Sequence, residues 1–84
     1  MWIRSQDKKD LINCKKLGIR KRLNEHVVVS ISEFGDFYPL GSYSSEEKAL
    51  KVLGNIQCRI KYKYQDPDYA LIYEMPTDDE VEVW

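Results

Sequence analysis

Trp2 and Arg4 alternate near the start of the chain, and Ser5, Gln6 and Asp7 follow directly. A flat ring beside a guanidinium suits a base and its phosphate: the ring stacks and the guanidinium forks onto oxygen pairs. Ser5, Gln6 and Asp7 suit a ribose, with Gln6 and Asp7 accepting from hydroxyls and nearby backbone N–H groups meeting a phosphate. Each feature has a plainer account that carries more weight. Trp and Arg are common in subunit interfaces, and Arg4 has an acid such as Glu74 to pair with. Ser and Asp also bond their own backbone in turns.

Further along, Arg20 and Arg22 share one face of an alternating stretch and could clamp a diphosphate, although a run of charges is usually a solvated face. Tyr69 and Tyr73 share a face with Leu71 and Met75, and form either a ligand cage or, more simply, core or interface. Trp2, Arg4, Gln6, Arg20, Arg22, Tyr69 and Tyr73 are therefore the candidate ligand-binding residues. The single histidine, His26, has no nucleophile arranged around it, so no catalytic triad is expected. Asp78, Asp79 and Glu80 could hold a hard cation but read better as solvated carboxylates of a tail. Cys14 and Cys58 lack the paired spacing of a zinc site and are expected to be reduced and mostly buried. No metal, cofactor or catalytic group is expected.

These residues need elements to position them. Met1 to Ser5 reads as a strand, Ser5 to Lys9 as a turn, and Leu11 to Cys14 as the return strand. Leu17, Ile19 and Leu23 alternate with polar residues and form a third strand, closed by a break at Asn24–Glu25. His26 to Ser32, rich in β-branched residues, is a fourth. Phe37 to Tyr43 is a fifth, and Pro39 within it predicts an edge or a bulge. Ser44 and Glu47 read as a capping box opening a helix from Ser45 to Tyr62. Ala49, Val52, Leu53, Ile56 and Ile60 form its apolar face, and Lys48, Lys51, Asn55 and Arg59 its polar face. Gly54 lies mid-helix and suggests close approach to the sheet. A turn at Gln65 to Asp68 leads to a last strand, Tyr69 to Met75, and Pro76 ends it.

The expected fold is α+β. It comprises a five-strand antiparallel meander, one amphipathic helix packed on the sheet, a final strand, and an acidic tail over residues 77–84 beyond a single domain of residues 1–76. At 84 residues the chain makes one domain with a thin stability margin. One helix cannot cover both faces of a sheet, and the chain carries six Tyr, two Trp and two Phe, so self-association is expected. No leader-like or membrane-spanning apolar run is present, which predicts a cytoplasmic location. The net charge of −1 hides blocks of alternating sign: residues 1–23 hold eight bases against two acids, and residues 64–84 hold seven acids and no base. Such alternation argues against one long basic face for sequence-specific nucleic acid, and suits local anion pockets or a basic face meeting an acidic one.

The stretches "MWIRSQDKKDLIN", "LGSYSSEEKALKVLGNIQ" and "YEMP" together resemble a set of small proteins encoded by phages and prophages of Gram-positive bacteria. The shared pattern is I-x-S-Q-D, then L-G-x-Y-x-S/T-x-E-x-A-x-x-V-L-x-x-I, then Y-x-M-P. The resemblance spans nearly the whole chain. It implies a phage origin and a small α+β fold, and supplies no catalytic residues. By analogy, small oligomeric phage proteins often counter host defence, some by sequestering nucleotide-derived signals such as cyclic ADP-ribose isomers or cyclic oligonucleotides. Three functions follow from that expectation. The first is a non-cleaving sponge for such a nucleotide-like molecule. The second is an inhibitor of a host protein, acting through the acidic tail or a sheet edge. The third, a small hydrolase of the signal, ranks last.

Overall fold

The computed structural model describes residues 1–63 and 72–82. Six strands, one α-helix and a short 3-10 turn follow the expected order: β1 (Trp2–Arg4), β2 (Leu11–Asn13), β3 (Leu17–Arg22), β4 (Glu25–Ile31), β5 (Phe37–Tyr43), α1 (Glu46–Lys63), β6 (Ile72–Glu74) and the turn Asp78–Glu80. The class is α+β, as the patterning predicts. Instead of one continuous meander, the strands form two sheets of three, ordered β2-β1-β6 and β3-β4-β5. The division falls at Lys15–Lys16, where two consecutive exposed residues break the two-residue period after buried Cys14. The first sheet is mixed: β2 pairs antiparallel with β1, and β6 pairs parallel with its other side.

The first turn forms as its residues predict. The Ser5 hydroxyl donates to Asp7 at 2.6 Å and accepts from the Asp10 N–H, while Asp7 also accepts from the Lys9 N–H. Lys8 takes a left-handed φ of 67° to close it. The β3–β4 hairpin turns one residue earlier than expected, on Leu23–Asn24, because Arg22 pairs with Glu25; Leu23 itself takes a left-handed φ of 54°. Pro39 sits where expected, on an edge strand and beside a bulge. Val28 faces Gly41 and Val29 faces Pro39, leaving Leu40 as the extra residue. The freed Leu40 carbonyl accepts from the Gln6 N–H at 2.8 Å, which ties the second sheet to the first turn.

The helix lies against the second sheet. Ala49, Val52 and Ile56 are buried with Val28, Leu40 and Tyr43, and Ile3, Tyr73 and Met75 close the same core from the first sheet. The helix packs on the second sheet, and the core cluster continues from there into the first. Ile60, expected on the apolar face, is exposed. The helix cap is Ser45, whose hydroxyl accepts from the Lys48 N–H. Ser44 is drawn instead to Asp78, donating both its N–H, at 2.8 Å, and its hydroxyl to one carboxylate oxygen. Gly54 faces open space, and a Cβ there meets nothing within 4 Å, so close approach does not explain it.

The expected tail is also different. Thr77 to Glu82 folds back onto the protein: Val81 is buried in the core, and Lys48 pairs with Asp78 at 3.4 Å. Glu80 accepts from both the N–H and the hydroxyl of Thr77. Cys14 is buried as expected, whereas Cys58 is exposed on the helix, and both are free thiols. Tyr69 and the Gln65 to Asp68 turn lie outside the described residues.

Candidate functional site

The first turn, β5 and the segment after β6 meet at one place. From the first, the Gln6 carboxamide accepts from the Ser42 N–H at 3.0 Å and donates to the Ser42 carbonyl at 3.2 Å. It thereby pairs with the free edge of β5 as a strand backbone would. Its second N–H donates to the Pro76 carbonyl at 3.1 Å, and the same carbonyl accepts from the Tyr43 hydroxyl at 2.8 Å. Burial pushes the Tyr43 hydroxyl far above the usual phenol range, with nearby Tyr73, Asp78 and Glu80 adding to the shift. These bonds give Gln6 an architectural task that the sequence did not reveal, and they occupy both its N–H donors.

Beside this junction lie two adjoining hollows, of about 620 and 480 Å³, between α1, β6 and the first turn. Arg59, Glu74, Pro76 and Glu80 line both. Arg59 is carried on α1 with its guanidinium 5.5 Å from the centre of the Tyr73 ring, a cation–π distance. Burial raises the Tyr73 hydroxyl above its ordinary value, and a bond to Asn55 and the Arg59 charge pull it partly back. From the opposite wall come Arg4, whose guanidinium donates to the Lys8 carbonyl at 3.4 Å, and Lys8 itself. The charge is mixed, since Glu74 and Glu80 face these three bases. The N–H and hydroxyl bonds of Thr77 and the nearby Lys8 charge hold the Glu80 carboxyl below its usual range.

Of the candidates read from sequence, Tyr73 lines the larger of these hollows and Arg4 the smaller. Tyr73 is buried in the core with Met75. Trp2 stands on the outer face of the first sheet beside Arg4, opposite in direction to Ile3, as strand alternation predicts. Arg4 and Glu74 are register neighbours on that face. Arg20 and Arg22 share one face of β3 but lie apart from this site. Arg20 covers the Phe37 ring at 4.8 Å and donates to the Ile19 carbonyl, while Arg22 borders a separate hollow next to Gln6 and Tyr38. Tyr69 is outside the described residues.

Sequence reasoning placed Arg59 and Asn55 on the polar side of the helix and gave neither a role in a site. No local signal marks them, because their importance comes from β6 lying beside the helix. His26 lies in β4, on the other sheet. Among the described residues, no three His, Cys, Asp or Glu side chains are grouped to hold a metal, and no helix is long and apolar enough to cross a membrane. No protein-family model, curated protein or solved structure matches the chain.

Proposed function

We propose that this chain is a binding protein that sequesters a nucleotide-like anion without cleaving it, in an anti-defence role drawn by analogy with other small oligomeric phage proteins. The observation that carries the reading is that Arg4, Lys8 and Arg59 line one hollow, and that Arg59 also lines the adjoining one, where its guanidinium lies over the Tyr73 ring. Guanidinium groups take phosphate oxygens in pairs, and a base stacks on the cation–ring layer. Glu74 and Glu80 suit the hydroxyls of a ribose as acceptors. Sequestration needs no chemistry beyond this: a tight site removes a signal from the host cytoplasm by mass action when protein exceeds ligand. The alternative reading, inhibition of a host protein through the acidic tail or a sheet edge, draws less support at the tail, because Asp78 and Glu80 are engaged in bonds within the protein and Val81 is buried.

Calorimetry against cyclic ADP-ribose isomers and cyclic dinucleotides tests the proposal. At least one should bind, and Arg59→Ala should weaken it by roughly 10- to 100-fold, the effect of losing one charge-assisted contact. Mass spectrometry after heat release should return the ligand intact; fragments would mean an enzyme. No heat with any member of the panel overturns the reading.

A further inference from the structure

The outer face of the first sheet is a small grid fixed by the strand registers. Asn13, Trp2 and Ile72 form one row across the three strands, and Leu11, Arg4 and Glu74 form the next. Their inward neighbours Ile12, Ile3 and Tyr73 pack into or against the core. The outward side chains have no such cover: Trp2 is 46 %, Leu11 44 % and Ile72 42 % exposed. Three large apolar side chains on so small a face are what an interaction surface presents.

We propose that a second copy of this chain docks on this face and, in doing so, closes the open side of the hollow bordered by Arg4, Ile72 and Glu74. The face suits a copy of itself. A twofold contact brings the same patch to both sides, so the patch must be complementary to itself. This one holds one base, one acid and three apolar side chains, and has no net charge to repel its twin. A twofold axis running across the strands sets each Trp2 against the other copy's Arg4, a cation–π pairing. An axis along the strands would instead press Arg4 on Arg4.

The hollow provides the second argument. Arg4, Ile72 and Glu74 belong both to the outer face and to its lining, so the two surfaces are continuous. Six residues per copy are also too few for a standard interface of roughly 20–30 residues a side. The contact must therefore spread past the grid onto the rim of the hollow, near Lys8 and Arg59. The ligand proposed above would then sit at the subunit boundary, walled by both copies. The dimer itself stands on the outer face and does not require that ligand.

Sedimentation equilibrium from about 1 to 200 µM, the range in which a small interface assembles, tests the pairing. The mass of the unmodified chain should rise from monomer to dimer. Ile72→Glu, which sets a second carboxylate against Glu74, and Leu11→Lys, at the far side of the face, should each weaken dimerisation at least about tenfold. At a concentration low enough for the wild type to be monomeric, both should keep its urea midpoint, since neither side chain is buried. A chain that stays monomeric throughout overturns the proposal, as does undiminished dimerisation in both variants. Calorimetry separates this result from the ligand reading: a dimer that binds no nucleotide leaves the interface standing, and a nucleotide bound equally well by wild type and Ile72→Glu monomers refutes the shared boundary.

Discussion

Replacing Gln6 with alanine removes three hydrogen bonds at once: two to Ser42 on the edge of β5 and one to the Pro76 carbonyl. Each such bond contributes about 0.5–1.5 kcal/mol net, so the sum lies near 2–4 kcal/mol. The Pro76 carbonyl keeps the Tyr43 hydroxyl, and half-buried Ser42 regains some water, which places the expected loss near 2–3 kcal/mol. A domain of this length has about 4–12 kcal/mol in total, so the loss is a large fraction of it. Urea unfolding should show a midpoint lowered by about 2–3 M, with the slope unchanged. Gln6→Glu sharpens the test, because it keeps the shape but turns a carboxylate oxygen toward two carbonyls. The folded state then favours the protonated acid, so its pKa rises above the unfolded value of about 4.3. The variant should come closest to wild type below pH 4.3 and fall away as pH rises through that higher folded value. A Gln6→Ala loss under about 0.5 kcal/mol, the size of an ordinary surface substitution, would refute the account of Gln6 as the tie between the two sheets.

Gly54→Ala should raise stability by about 0.5–1 kcal/mol, read as a higher urea midpoint, because a helical Ala has less backbone freedom to lose and its methyl meets only open space. Acid should destabilise the protein through Asp7, Asp78 and Glu80. The Ser5 hydroxyl, the Ser44 N–H and the Thr77 N–H respectively are the leading causes that hold these carboxyls below their ordinary range. Groups with lowered folded values stabilise above their unfolded pKa of about 3.9–4.3 and lose that contribution as pH falls through the folded value. The thermal midpoint should therefore stay level from pH 7 to about 5 and drop below pH 4; an equally steep drop in the Asp78→Asn, Glu80→Gln double variant would count against this origin.

Much of the fold was legible because its signals are local. The Ser5 to Lys9 turn, the Val-rich β4, the bulge beside Pro39 and a helix of Glu46–Lys63 all follow from turn chemistry and periodicity within a few residues. The direction of Trp2 and Arg4 away from Ile3 follows from alternation alone. The capping residue shows where local reading ends. Sequence favours Ser44, with Glu47 three residues on, and the cap falls to Ser45 because Asp78, 34 residues away, holds Ser44.

The site depended on contacts of that longer kind. Gln6 reads as a turn residue or a ribose ligand until β5 and Pro76 arrive, 36 and 70 positions on, to take its amide. Arg59 is one base among several on a polar helix face until Tyr73 comes beneath it. Even the split into two sheets needed the parallel pairing of β6 with β1, which joins opposite ends of the chain. Sequence determined the elements, because their backbone preferences are set by near neighbours. Tertiary structure decided which polar groups meet one another, because a hydrogen bond or a stacked ring depends on distance in space and not along the chain.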